Sequence, residues 1–225
     1  MKKKLTVALA GNPNCGKSCI FNNLTGSRQH VGNWPGVTVE KKEGICKYRD
    51  YKMLVVDLPG TYSLAAYSID ETIARKFVME KNPDVVVNIV DASNLERNFY
   101  LTTQFLEMEV PLVLCLNMID RAESRGYKID VKQLSEFLGI SVIPTIGHRN
   151  QGTDKLLEEI IALTFHKTTN RKTTIKYGKE VEEEILNLEK LIENDDQLNK
   201  KYPSRWLAVK LLEGDEEIIK RLEKY

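Results

Sequence analysis

The residues with the clearest chemical meaning lie near the N-terminus, where GNPNCGKS at 11–18 has the form G-x-x-x-x-G-K-S. Glycines let the backbone wrap a phosphate so that successive N–H groups point inward. A helix that begins directly after this turn adds the positive end of its dipole. Lys17 would then reach the β- and γ-phosphates, and the Ser18 hydroxyl would bind Mg²⁺. The predicted phosphate-site residues are Gly11, Asn12, Asn14, Cys15, Gly16, Lys17, Ser18 and Cys19.

A second motif, Asp57-Leu58-Pro59-Gly60, ends an apolar strand pattern. The Asp57 carboxylate would hold Mg²⁺ through water, and Gly60 would offer its N–H to the γ-phosphate. Thr38 lies between the two motifs in a loop rich in Gly and Pro, and its hydroxyl would complete the Mg²⁺ shell once a γ-phosphate orders that loop. The predicted magnesium ligands are Ser18, Thr38 and Asp57, and the predicted catalytic residues are Lys17, Asn14, Thr38 and Gly60.

A third motif, Asn117-Met118-Ile119-Asp120, follows another apolar run and indicates a base-binding site. The Asp120 carboxylate can accept from guanine N1–H and from the exocyclic amine, a donor pair that adenine lacks. Asn117 would brace the loops and touch guanine N7, while the stem of Met118 would cover the base. The loop after Pro144 would give N–H groups to guanine O6. The predicted base-site residues are Asn117, Met118, Asp120, Ile146, Gly147 and His148.

Strand and helix patterns alternate through the first part of the chain. This alternation predicts an α/β fold with a mostly parallel sheet and helices on both faces. Together with the three motifs, it predicts the P-loop GTPase fold. The predicted strands are Leu5–Ala10, Thr38–Tyr48, Tyr51–Asp57, Val85–Val90, Leu112–Leu116 and Ser141–Pro144. The predicted helices run from Lys17 to Leu24, from Ser68 with Glu71 in a capping box, from Leu95 to Met108, from Asp130 to Gly139 and from Thr153 to Thr164, and Gln29–Val37 is predicted as a loop.

The alternation stops near residue 165, and only helical patterns follow. Residues 1–165 are therefore predicted to form a GTP-binding domain. Residues 166–225 are predicted to form a linker, His166–Lys176, and a small all-α domain of three helices.

Composition excludes several classes of protein. The chain of 225 residues is 42% hydrophobic and 29% charged, as ordinary globular proteins are, and its net charge is +1. No half of the molecule is basic enough to grip nucleic acid by bulk charge, and no apolar run approaches the roughly 20 residues of a membrane span. The four cysteines lack the spacing of a zinc site, which favours reduced thiols over a metal or disulfide role.

The motifs GNPNCGKS, NWPGVTVE, DLPGTYSL and NMID, in this order, resemble the N-terminal domain of the ferrous iron transport protein B family. The resemblance continues through residues 203–215 and so covers nearly the whole chain. The guanine loop departs from the GTPase pattern, because the usual Ser-Ala pair is absent near Thr145.

This resemblance implies a GTP-binding and GTP-hydrolysing domain that regulates or gates bacterial ferrous iron transport. It implies a fragment, soluble by itself, of a longer polypeptide whose transmembrane permease is its partner at the cytoplasmic face of the inner (plasma) membrane. A homo-oligomer is left open. By position, residues 171–225 match a helical domain that favours the GDP state in that family.

Two expectations concern catalysis. Thr61 stands where many GTPases carry a water-orienting Gln, and a Thr is too short for that task, so slow intrinsic hydrolysis is expected. Asn14 could hold the phosphate turn through its own backbone. Resemblance to potassium-dependent GTPases, which share Pro-Asn at these two places, implies instead that its amide oxygen binds an activating K⁺, with carbonyls near Asn33 and Trp34.

Two other functions share parts of these patterns. A ribosome- or tRNA-processing GTPase has a similar phosphate turn, but such proteins usually append a basic RNA-binding module. A P-loop kinase for a small molecule would need an Arg-rich lid, and it gives no reason for Asn117 and Asp120.

Overall fold

The computed structural model of the chain describes residues 3–26, 29–165 and 174–223. These residues divide into two compact units, one of 3–104 with 110–165 and the other of 105–109 with 174–223. Most of the predicted linker, residues 166–173, lies outside the described residues. The assignment of residues 105–109 to the second unit has no counterpart in the sequence pattern.

A seven-stranded sheet forms the centre of the first unit, in the order β2-β3-β4-β1-β5-β6-β7. Strands β4, β1, β5, β6 and β7 pair in parallel, whereas β2 and β3 add an antiparallel edge. The strands are β1 Lys3–Gly11, β2 Gln29–Asn33, β3 Glu40–Tyr48, β4 Tyr51–Asp57, β5 Val85–Asp91, β6 Leu112–Asn117 and β7 Ser141–Pro144.

Ten α-helices connect and follow these strands within the described residues. Six of them belong to the first part of the chain: α1 Lys17–Thr25, α2 Ile69–Lys81, α3 Leu95–Glu107, α4 Ile119–Ser124, α5 Val131–Leu138 and α6 Thr153–Phe165. The other four follow the linker: α7 Lys179–Glu193, α8 Asp196–Lys201, α9 Ser204–Leu212 and α10 Glu216–Leu222. None of the helices described is long and apolar enough to cross a bilayer.

Alternating residues of the strands divide the core between the two faces of the sheet. Val7 and Leu9 of β1 pack in one buried cluster with Phe21 of α1 and Leu156 of α6. On the other face, Asn88 of β5 accepts a hydrogen bond from Thr102 of α3 at 2.6 Å. Helices therefore cover both faces, and the prediction of a mostly parallel sheet followed by a helical segment is confirmed.

Two sequence predictions near the edge of the sheet are wrong. The predicted loop Gln29–Val37 contains strand β2, and the strand predicted from Thr38 begins only at Glu40. Strand β2 lies at the edge of the described sheet, where it pairs with β3, and most of its side chains are exposed. An edge strand of this kind has no buried face, so its sequence lacks the alternation that reveals other strands.

Two short helices, α4 and α8, also have no counterpart in the sequence predictions. Helix α4 follows Met118, which adopts a left-handed conformation with φ 60, and the helix has six residues. Helix α8 likewise has six residues and no buried side chain, although Asp195 caps it. Helices this short have too few residues to show a periodic apolar face.

In the second unit, Arg205 and Lys210 are both paired with carboxylates. Arg205 Nη2 of α9 lies 2.7 Å from Glu182 Oε1 of α7, and Lys210, which is 1% exposed, lies 2.6 Å from Glu213 Oε2. The Tyr177 hydroxyl donates to the carboxylate of Glu107. Burial raises the pKa of Glu107, and the Tyr177 hydrogen bond opposes that rise.

Candidate nucleotide-binding site

The phosphate loop leaves β1 at the carboxyl edge of the sheet and enters α1. Gly16 is the N-cap of α1, has φ 89 and gives the helix no side-chain cap. A Cβ atom at Gly16 would lie 2.3 Å from Asn117 Nδ2, so both the backbone angle and the space require glycine here. The first turn of α1 consequently has no side-chain cap and can offer backbone N–H groups to an anion, although the N–H of Cys19 already donates to the carbonyl of Gly16 at 3.1 Å.

Asn117, at the end of β6, joins the phosphate loop to the predicted guanine loop. Its Nδ2 donates to the carbonyl of Cys15 at 2.9 Å, and its Oδ1 accepts from the N–H of Gly147 at 2.9 Å. The Thr145 hydroxyl donates to the same Oδ1 at 3.2 Å. Since Asn117 is only 2% exposed, these bonds are the bracing that the sequence predicts for it.

Lys17 and Asp57 form an ion pair beside the phosphate loop. Asp57 ends β4 and is 8% exposed, and burial raises the pKa of its carboxyl while the charge of Lys17 lowers it. The pair brings together a predicted phosphate ligand and a predicted magnesium ligand. An incoming phosphate would compete with Asp57 for the Lys17 ammonium group.

The segment after Asp57 lies against the phosphate loop. The N–H of Thr61 donates to the carbonyl of Gly11 at 3.2 Å, and a Cβ atom at Gly60 would lie 3.4 Å from Pro13. Thr61 is buried, and its hydroxyl donates to the carbonyl of Ser63 at 2.7 Å. Gly60 therefore lies next to the phosphate loop, as the sequence predicts, while the Thr61 side chain is engaged elsewhere.

Polar side chains from α2 and α3 hold this segment, and sequence reasoning missed their role. Gln104 Oε1 accepts from the N–H of Leu64 at 2.6 Å, and Arg75 Nη1 donates to the carbonyl of Leu64 at 3.3 Å. Glu71 accepts from Ser63 at 2.7 Å in addition to closing the capping box with Ser68. The available signal was a polar residue, Gln104, on the apolar face of a predicted helix.

The loop that carries Thr38 is fixed at one end by Trp34. The indole is buried, and its ring meets Phe77 of α2 edge to face with 5.6 Å between centroids. The backbone N–H of Trp34 donates to the carbonyl of Val39 at 2.9 Å, and this hydrogen bond closes a turn around Thr38. Thr38 itself is exposed, and no hydrogen bond of its side chain is found among the described residues.

The predicted guanine loop forms a 3₁₀ turn, Gly147–Arg149, after β7. Asn23 of α1 donates to the carbonyl of Gly147 at 2.8 Å, which adds a second tie between this loop and α1. His148 Nε2 lies 3.8 Å from Asp120 Oδ2 in the first turn of α4. The structure therefore brings Asp120, Gly147 and His148 to one place, next to the phosphate loop.

Two cysteines of the predicted phosphate site differ in environment. The thiol of Cys15 lies in the buried core, and burial raises its pKa to about 11. Only the backbone of Cys15 can therefore take part in phosphate binding. Cys19 is partly exposed, and its Sγ would lie 3.4 Å from a Cβ atom at Gly147.

The topology of the sheet and the order of these loops identify the first unit as a P-loop GTPase fold. The model of the family described as "Ferrous iron transport protein B" matches residues 5–160, and that of the "FeoB cytosolic helical domain" matches residues 177–225. The chain belongs to the ferrous iron transport protein B family.

Relatives and solved structures agree with this assignment. The chain is 47% identical to a Fe(2+) transport protein A/Fe(2+) transporter FeoB fusion protein of Porphyromonas gingivalis, and 44% identical to the Fe(2+) transporter FeoB of Escherichia coli K12. These alignments cover 95% of this chain but only 26% and 27% of the relatives' lengths. The crystal structure of the cytosolic domain of T. maritima FeoB in a GDP form has a TM-score of 0.92 and 41% identity, over 98% of this chain and 86% of that one.

The double contact of Asn117 generates a prediction. Asn117→Ala leaves two buried backbone groups without their partner, so the free energy of unfolding should fall by about 1–3 kcal/mol. Guanine nucleotide affinity should fall as well, because the phosphate and guanine loops lose their common support. Urea denaturation and fluorescent GDP titration measure the two effects.

Asn88→Ala is the matched control for Asn117→Ala. Asn88 is a buried asparagine of the neighbouring strand β5, and it bonds to Thr102 and not to either loop. The Asn88→Ala variant should have a lower free energy of unfolding and an unchanged affinity for GDP. Equal losses of GDP affinity in the two variants would contradict the bracing role.

Proposed function

We propose that this chain binds GTP, hydrolyses it to GDP and phosphate, and acts as the nucleotide-dependent domain of a ferrous iron transporter. The observation that carries the proposal is Asn117, which holds the phosphate loop and the guanine loop together at one edge of the sheet. Solved structures of the T. maritima FeoB cytosolic domain are described as GDP and GMPPNP forms, which supports a guanine nucleotide here.

Mg²⁺ fits the oxygen donors present, and when bound with the nucleotide it would supply charge neutralisation for the phosphates. The described residues contain no group of three or more His, Cys, Asp or Glu side chains that could hold a metal. In this proposal Ser18, Asp57 and Thr38 would contribute oxygen ligands, and phosphate oxygens of the nucleotide would complete the coordination shell. Thr38 has to move inward for this, and the fixed position of Trp34 limits the moving part to the turn that follows it.

Slow intrinsic hydrolysis is part of the proposal. The Thr61 side chain is short, buried and bonded to the carbonyl of Ser63, so it is not available to orient a water molecule. Lys17 and the N–H of Gly60 would stabilise charge on the phosphates. A further cation would stabilise the phosphate charge that these two groups leave unbalanced.

We propose that hydrolysis regulates or gates iron movement through the permease portion of a longer polypeptide at the cytoplasmic face of the membrane. The names of the relatives and the fraction of their length that this chain spans support this. The family also favours this function over the alternative of a ribosome- or tRNA-processing GTPase.

Guanine specificity should depend on Asp120. In the natural sequence ATP should bind about 10⁴-fold more weakly than GTP, because adenine leaves the carboxylate unpaired. Asp120→Ala should weaken GTP binding by roughly 1.5–3 kcal/mol, the contribution of charged hydrogen bonds. Isothermal titration calorimetry with GTP and ATP measures both values.

Asp120→Asn provides a matched control of similar size. Xanthine has a carbonyl where guanine has its exocyclic amine, and the Asn amide can donate to that carbonyl. This variant should therefore bind GTP more weakly and xanthosine triphosphate more tightly than the natural sequence does. Equal affinity of the natural sequence for ATP and GTP would contradict the proposed base site.

Potassium should accelerate hydrolysis through Asn14. The Asn14 backbone has φ 67, and its exposed side chain makes no hydrogen bond within the described part of the chain, so it does not hold the turn as the alternative interpretation requires. Its amide oxygen is free to bind a monovalent cation beside the phosphates. GTP turnover should be faster in KCl than in NaCl at equal ionic strength, and the difference should vanish in Asn14→Ala while GDP affinity is retained. Identical turnover of the natural sequence in the two salts would remove the support for a K⁺ site.

Residues 171–225 should slow the release of GDP. The supporting observation is that the second unit includes 105–109 and so takes in the end of α3, which Tyr177 holds through Glu107. Removal of 171–225 should raise the GDP dissociation rate by about fivefold or more, the scale of a modest coupling energy. Stopped-flow release of a fluorescent GDP measures this rate.

Tyr177→Phe separates regulation from damage to the fold, because it deletes one hydroxyl and keeps the segment. It should raise the GDP dissociation rate in the same direction by a smaller factor, whereas Tyr127→Phe on the first unit should not. An unchanged rate after complete removal of 171–225 would mean that the helical segment is a spacer.

A further inference from the structure

Three lysines stand in one row across three neighbouring strands. Lys4 of β1 pairs with Lys52 of β4, and Lys52 pairs with Lys47 of β3. Residues paired in this way project from the same face of a sheet, and adjacent strands lie about 4.8 Å apart. The three ammonium groups are therefore carried on one short line, here called the lysine row.

Among the residues that the structure describes, no carboxylate forms an ion pair with the lysine row. In the described portions of the chain, Lys4, Lys47 and Lys52 take part in none of the ion pairs. The nearest acid of β3 on the same face, Glu43, is paired with Lys41. Asp84, beside β1, accepts from the backbone N–H of Thr6 at 2.7 Å.

Like charges directly opposite each other on a sheet destabilise it, so this arrangement needs a reason. Edge strands often carry lysine to prevent pairing with other chains, and this accounts for Lys47, which lies beyond the part of β3 that β2 covers. It does not account for Lys52 and Lys4, because β4 and β1 are internal strands. The row is better explained by a partner with negative charge.

The surface next to the row is open and partly apolar. Lys4, Thr6, Ile45, Lys52 and Leu54 line a shallow groove of about 280 Å³. Lys4 and Gly11 are both in β1, and the seven intervening steps place the row about 23 Å from the phosphate loop. The groove is therefore separate from the nucleotide site.

We propose that the lysine row docks this domain on anionic phospholipid headgroups of the membrane, an inference that rests on the membrane location in the proposed function. Lysine ammonium groups are point charges on flexible stems, so they bind negative charge without requiring a fixed geometry. A fluid layer of headgroups offers negative charge of this kind. Ile45 and Leu54 would face the headgroup region beside the charges. An acidic protein segment is the competing partner, but a groove this shallow offers it little shape to recognise.

The expected strength of binding follows from the number of lysines. Each lysine near an anionic membrane surface raises binding about fivefold, so the row should give an increase on the order of 100-fold. The test is flotation of the purified chain with vesicles of phosphatidylcholine, with and without phosphatidylglycerol. Binding should require phosphatidylglycerol and should weaken as KCl is raised.

Variants assign this binding to the row. The triple variant Lys4→Gln, Lys47→Gln, Lys52→Gln should lose about 100-fold in vesicle binding, and the corresponding triple Arg variant should retain it. The control Lys81→Gln, Lys128→Gln, Lys155→Gln changes net charge equally at other exposed lysines and should bind normally. GTP turnover in the absence of vesicles should be the same in all of these variants as in the natural sequence. If the natural sequence itself shows no GTP turnover, that result contradicts only the proposed function.

Three outcomes would overturn the proposal. The first is equal binding to vesicles with and without phosphatidylglycerol. The second is an equal loss of vesicle binding in the row variant and in the control variant. The third is that the chain does not bind vesicles but binds a polyglutamate peptide through the lysine row.

Discussion

The site depends on the buried side chain of Asn117, which supplies both a donor and an acceptor to backbone groups far apart in sequence. It donates to Cys15 in the phosphate loop and accepts from Gly147 in the guanine loop. Neither loop belongs to a strand or an α-helix, and this one amide group bonds to both of them directly, while Asn23 of α1 adds a second tie to Gly147. Gly16 follows from the same constraint, because any side chain there would occupy the space of Asn117 Nδ2.

The parallel sheet is what makes this constraint effective. Strands β1, β5 and β6 end at the same edge, and the loops that follow them meet there. Asp57 reaches this edge from β4 and pairs with Lys17, so the predicted metal ligand and the predicted phosphate ligand neutralise each other in a region of low exposure. The charges are thereby already positioned, and under the proposed function a bound nucleotide would exchange one partner of Lys17 for another without building a new site.

The elements that the sequence predicts well are those whose patterns are local. Strands β5 and β6 are continuous apolar runs, and Ser68 with Glu71 forms the predicted capping box. The contacts that sequence reasoning missed join residues distant in the chain, such as Gln104 with Leu64 and Trp34 with Phe77. Strand β2 was missed because an exposed edge strand carries no periodic signal. The order and relative placement of the motifs are thus readable from the sequence, whereas the contacts that hold the segments after Asp57 and around Thr38 are not.

Under the two proposals each end of the sheet would face an anion, phospholipid headgroups at one end and a nucleotide at the other, and the same three strands connect the two ends. Strand β1 runs from Lys4 to Gly11, β4 runs from Lys52 to Asp57, and β3 carries Lys47 at the end away from the loop of Thr38. Because strands of a packed sheet are stiff, a domain held by its lysine row would present the nucleotide site on the side away from the bilayer. GTP would then reach the phosphate loop from solution, where the negative surface potential of the membrane has decayed over a few Debye lengths. The unneutralised row thus suits a domain whose ligand is itself an anion.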